Sequence, residues 1–150
     1  MDIPAEIVIP VCIEQGSIYL YAFNATRHDG SQYSGERFFI ILNVNPKTDK
    51  ILVLTTITKQ IGKQEQFVRN TGQDSSTLVR ITPANFSRLD VESVVNCNNT
   101  YELTLEQLVE KINNKGKIFF EKLPKNIIAA LVSGVLKSSL VSAEHKKLIL

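Results

Sequence analysis

The sequence holds no tryptophan, and its one methionine is Met1. No cofactor pocket can be built from those residues. Cysteine is almost as scarce: Cys12 and Cys97 stand far apart and in no paired motif. That excludes a disulfide framework or a thiolate zinc site and points to an intracellular protein with two thiols. No apolar run approaches the length needed to span a bilayer, so no membrane partner is expected. The opening MDIPAEIVIP carries an acid and prolines where a signal peptide needs a basic region and a continuous apolar stretch. A cytoplasmic location is therefore expected, and the Asn-x-Ser/Thr triplets at Asn24, Asn85 and Asn98 are coincidental. The net charge is only +2, which by itself implies neither a nucleic acid nor a membrane surface. No Walker loop, dinucleotide fingerprint, zinc-protease motif or nucleophile elbow occurs. What remains is metal-free, cofactor-free chemistry, or none.

What is present belongs to an ordinary globular protein, with 43% hydrophobic and 21% charged residues. At 150 residues, 1–150 reads as a single domain able to bury a real core. Its first two thirds read as strands. IYLYAF (Ile18–Phe23) is rich in aromatics, and FFIILNV (Phe38–Val44) is apolar almost throughout, as suits a strand buried on both faces. NPKTDK (Asn45–Lys50) is a turn, after which KILVLTTIT (Lys50–Thr58) runs back as the partner of a hairpin. TLVRIT (Thr77–Thr82) and SVVNCN (Ser93–Asn98) are short and β-branched.

The last third, 104–150, turns helical. Thr104 with Gln107 forms a capping box, and Leu105, Leu108, Val109 and Ile112 follow at helical spacing until Asn113, Asn114 and Gly116. Pro124 opens a second helix with an apolar stripe from Ile127 to Leu136, in which Gly134 either weakens the helix or lets a neighbour approach closely. SAEHKKLIL at the end is a third short helix or a frayed tail, with His145 exposed on it. Residues 24–36 and 60–76 are polar, glycine-bearing and long, and read as loops. Residues 1–15 form an N-terminal extension to a core at 16–103.

Few residues carry chemistry. His28 lies in the first loop, where it is either a solvated polar residue or part of a site. Cys97 fits a small buried hydrophobe better than a nucleophile. Arg37 opens one hairpin strand and Thr55, Thr56 and Thr58 close the other, so antiparallel pairing makes them neighbours at one rim. A guanidinium beside a hydroxyl can grip a phosphate. The alternative is a solvated strand-end charge beside threonines that simply favour strands. The following loop adds Lys59, Lys63, Phe67 and Arg69, cations interleaved with an aromatic, a pattern that suits single-stranded nucleic acid.

In order and spacing, GSIYLYAF (Gly16–Phe23), QYSGERFFIILN (Gln32–Asn43) and VLTTITKQ (Val53–Gln60) resemble the MazF/PemK family of bacterial toxins. ESVVNCNNTYELTLEQLVEKINNKGKI (Glu92–Ile118) is similar to that family's later strands and short helix, and NIIAALVSGVL takes the place of its C-terminal helix. The resemblance spans roughly residues 14 to 140. It implies a mainly β fold with C-terminal helices, an SH3-like small β barrel of the MazF/PemK/CcdB type. It also implies a homodimer, an antitoxin partner and metal-independent cleavage of single-stranded RNA. By position, Gly35 and Arg37 match the glycine and catalytic arginine of a G-x-R-P motif, and Thr58 the threonine of P-I-T-S. Phe38, Thr56 and Lys59 depart from those motifs. RNA contacts are expected from Gly35, His28, Thr56, Lys59, Lys63, Phe67 and Arg69. A barrel that binds protein or nucleic acid without cutting, as gyrase-poisoning toxins do, is the alternative.

Overall fold

A computed structural model describes residues 3–26 and 32–150. His28 lies outside the described residues. The strands are β1 (Ile18–Thr26), β2 (Gln32–Ile41), β3 (Leu52–Thr58), β4 (Leu78–Ile81), β5 (Ser93–Asn96), β6 (Tyr101–Leu103) and β7 (Lys117–Phe119). The helices are α1 (Ala5–Cys12), α2 (Ile61–Thr71), α3 (Leu105–Asn113), α4 (Lys125–Lys137) and α5 (Ala143–Leu148). The strands join in the order β4-β5-β3-β2-β1-β7, and β6 also pairs with β3. Every pairing is antiparallel. This is the mainly β fold with C-terminal helices that the sequence implied.

Strand alternation divides the interior into two cores. Tyr19, Tyr21, Phe39, Ile41, Leu52 and Leu54 face α1 and α3 through Ala5, Ile9, Leu108 and Ile112. Ile18, Ile40, Leu42, Val53, Ile57 and Val95 face the other way and pack with Phe86 and with Leu131 and Val135 of α4. Aromatic rings pin both sides: Tyr21 stacks on Phe39 at 4.2 Å, and Phe86 meets Phe38 and Phe119 edge-on.

The β2–β3 turn is closed by one side chain. Asn43 is fully buried; its amide donates to Asp49 Oδ2 and to the Ile51 carbonyl, and its oxygen accepts from Val53 N–H at 2.6 Å. The strand expected to run to Val44 ends at Ile41 for this reason, because the Asn43 side chain replaces the ladder there. The capping box at Thr104 and Gln107 is formed as read. Gly134 lies so close to β5 that an added Cβ would meet Cys97 Sγ at 2.8 Å.

Three readings need correction, and the 1–15 extension is found to hold a helix. Residues 60–76 are not a loop: they hold α2 and a 3-10 turn at Ser75–Thr77. Only Val68 of α2 is buried, and polar contacts tie the helix down, with Asn96 donating to Gln64 and Arg80 reaching Glu65 at 3.6 Å. Such a helix carries no apolar stripe to read. Residues 24–36 are mostly strand, because β1 continues to Thr26 and β2 starts at Gln32. The 1–15 extension contains α1, which buries Ala5 and Ile9. His145 is buried rather than exposed; it meets Thr100 Oγ1 at 2.7 Å and Glu102 at 2.5 Å, fixing α5 to the β5–β6 segment. Strand β7, only three residues long, was not anticipated.

A Cβ on Gly116 would sit 2.7 Å from Ile112 Cα and under 3 Å from the carbonyls of Lys111 and Leu20, all backbone atoms that cannot step aside. Gly116→Ala is expected to cost about 1–3 kcal/mol in urea unfolding. Gly62→Ala, with open space around it, is expected to be neutral or up to about 1 kcal/mol stabilising.

Candidate active site

The β2–β3 register fixes the geometry at the rim. Phe39 pairs with Thr56, Ile40 with Thr55 and Ile41 with Leu54. The ladder ends there; continued two residues further out, the same register would bring Arg37 level with Thr58. Both border an open cavity of about 480 Å³, together with Glu36, Lys59, Gln60, Arg88, Asp90 and Ser93.

Arg37 is half-buried, and its guanidinium lies over the Phe23 ring, 5.4 Å from the centroid. Burial raises the Tyr101 phenol above its ordinary pKa, while the nearby Arg37 cation pulls it down. The aromatic wall of Phe23, Phe39 and Tyr101 (neighbouring rings at 5.4 to 5.9 Å) therefore braces the arginine's side of the sheet. Thr58 Oγ1 accepts from Gln60 N–H at 3.2 Å, which leaves its own proton for another acceptor.

The other expected site residues separate. Thr56 is buried, and its hydroxyl donates to the Phe38 carbonyl at 2.9 Å, so it serves the ladder. Gly35 pairs with Phe23 in the β1–β2 ladder, outside the cavity lining. Lys59 lines the cavity but is paired with Asp90 at 2.9 Å. The Lys59 hydrogen bond holds the Asp90 carboxyl below its ordinary pKa. Lys63, Phe67 and Arg69 lie on α2, away from the cavity lining. Helical spacing sets Lys63 and Phe67 on one flank of the Val68 face and Arg69 on the other, so the three do not form one surface.

Glu36, Gln60, Arg88, Asp90 and Ser93 are the polar lining residues that the sequence reading missed. Arg88 sits in the irregular stretch between β4 and β5, with its guanidinium over the Phe119 ring at 5.4 Å. An isolated arginine in such a stretch gives no sequence signal. Among the described residues, no group of three or more His, Cys, Asp or Glu side chains is placed to hold one metal ion.

A family model for PemK-like, MazF-like toxins of type II toxin–antitoxin systems matches residues 14–131. The chain belongs to this family. The match leaves α1 and α5 outside it. The structure of MazE–MazF (form II) from Deinococcus radiodurans is similar over 83% of this chain and 92% of that one, at 14% identity and a TM-score of 0.49. No curated protein matches the sequence. Within this toxin-family fold the hairpin rim brings Arg37 and Thr58 together, and Arg88 joins them from outside the expected motifs.

Cys97 is no nucleophile here, since burial pushes its thiol up to about 12. Below pH 9 a thiol reagent is expected to titrate one cysteine, the exposed Cys12, and two after unfolding. Between the ordinary thiol pKa of roughly 8.5 and the raised folded value, the unfolded chain binds fewer protons than the folded one. Stability is therefore expected to fall as pH rises through that window. Cys97→Ala should flatten this part of the urea-derived stability profile.

Proposed function

We propose that this chain is the toxin of a type II toxin–antitoxin pair and acts as a metal-independent endoribonuclease on single-stranded RNA in the cytoplasm. The observation that supports it is that the β2–β3 hairpin brings Arg37 and Thr58 to the lining of one open cavity. In this reading the 2′-oxygen attacks the adjacent phosphorus and the bond to the 5′-oxygen breaks. The products are a 2′,3′-cyclic phosphate and a 5′-hydroxyl. Arg37 stabilises the charge that builds on the non-bridging oxygens, the kind of term that is worth most when the donor is held in place beforehand. Thr58 donates to one of those oxygens and keeps the phosphate in line. Arginine is a poor proton donor at neutral pH, so Arg37 is assigned electrostatic work. Glu36 takes the 2′-hydroxyl proton, since the other lining carboxylate, Asp90, is held by Lys59. Water protonates the leaving oxygen.

A second reading has its own support. The Arg37 guanidinium lies against Phe23 and Lys59 is tied to Asp90, an arrangement that also suits a barrel which binds RNA or protein without cutting. A second copy and an antitoxin complete the proposal. The outer side of α4, with Ile128, Val132 and Leu136 beside Val44 and Leu150, lines an open apolar cavity of about 810 Å³ that supports homodimer formation. Sedimentation at micromolar concentration is expected to show a dimer, and a monomer alone would count against it.

The deciding assay is cleavage of long single-stranded RNA in excess EDTA. The native chain should cut, and Arg37→Ala should lose about 10²–10³-fold in rate while remaining folded. If neither protein cuts several unrelated RNAs, the binding module takes precedence. Cutting only after magnesium is restored would sink the metal-independent assignment.

A further inference from the structure

A second cavity, of about 1150 Å³, shares two of its walls, Phe38 and Arg88, with the Arg37–Thr58 cavity. It runs along the short edge strand β7 and the start of α1, and among the described residues it is lined by Arg88, Lys115 and Lys117 with no carboxylate. Three aromatic rings line it as well: Phe38, Phe119 and Phe120. Phe120 is 68% exposed, while Arg88 lies over the Phe119 ring. Two acids lie close by: Glu121 is engaged by the N–H and hydroxyl of Ser87, and Glu6 accepts from the lining residue Asn113 at 3.5 Å.

Lys115 supplies an independent observation. It is the one non-glycine residue with positive φ among the described residues, at +68°. It follows the α3 C-cap Asn114, where glycine commonly occupies the left-handed position. Conformation alone would favour glycine, yet a cation stands at this point of the groove. A lysine there also complements the helix C-terminus, so the test has to separate the two roles.

We propose that this groove holds the continuation of the single-stranded RNA whose scissile phosphate lies at Arg37. A base stacks on Phe120, and Arg88, Lys115 and Lys117 take backbone phosphates. The proposal rests on the ribonucleic acid reading above. Cations that follow a backbone and an exposed ring that accepts any base are the two elements of sequence-tolerant single-strand binding. Three cations and no carboxylate among the described lining residues favour a polyanion over a peptide or a second copy. Because α1 precedes residue 14, part of this wall lies outside the family match.

The probe is a labelled 2′-O-methyl RNA of about 12 nucleotides, within the length that a small single-strand site covers. It cannot be cut, so binding is read apart from cleavage. Phe120→Ala is expected to weaken binding about tenfold or more, in line with the loss of one stacked base. Lys115→Gly should weaken it while leaving the urea midpoint unchanged or higher, a split that a purely structural lysine would not give. It should also lower the steepness of log K against log salt by about 0.7, one single-strand phosphate contact. If Arg37→Ala stops cleavage but the groove variants bind like the native chain, the groove proposal is overturned and the nuclease reading stands. If nothing is cut yet Phe120→Ala and Lys115→Gly weaken binding, the groove stands and the nuclease reading falls. If Phe120→Ala instead turns a dimer into a monomer with RNA binding intact, the groove belongs to a second copy and the proposal is overturned.

Discussion

The register of β2 against β3 is the constraint on which the rest depends. A slip of one residue would exchange the two faces of β2, sending Phe39 and Ile41 out of the α1–α3 core and Ile40 out of the α4 core. Both cores therefore oppose the slip. At the far end Asn43 fixes the same register through its bonds to Asp49, Ile51 and Val53. Packing and hydrogen bonds some distance inside the protein thus help to set Arg37 and Thr58 at the rim of one cavity.

The cations around the rim are held to different degrees. Lys59 is committed to Asp90, and Arg80 to Glu65 and Glu92. The guanidinium groups of Arg37 and Arg88 also lie over aromatic rings. Such a contact helps to orient the flat face of a guanidinium. Phe38 and Arg88 line both cavities, and Arg37 lines the first. With a net charge of only +2, placement matters here more than total charge.

Much of this fold was legible in the sequence, for identifiable reasons. The apolar run after Arg37, the turn at Asn45–Lys50 and the capping box at Thr104 are local signals with local causes. That Arg37 and Thr58 share one rim was legible because a short hairpin fixes which ends meet. The failures were equally physical. Helix α2 is held by Gln64 to Asn96 and Glu65 to Arg80, long-range polar contacts with no periodic trace. His145 was hidden for the same reason, since its partners Thr100 and Glu102 lie more than forty residues earlier. Arg88 reaches the site from an irregular segment, and only the folded chain brings it to Phe119.

The Asn43 closure has a consequence for how the two halves of the rim respond to stress. Its longest reach, to Val53, spans ten residues, so closing that loop costs little chain entropy. Strand β7, by contrast, is attached to β1 by three residue pairs from about a hundred positions away. Sub-global opening is therefore expected to begin at the β7 edge and leave the hairpin closed. Amide exchange at Lys117–Phe119 would then run ahead of exchange at Leu52–Leu54, and the chain could lose its edge groove while Arg37 and Thr58 remain at one rim.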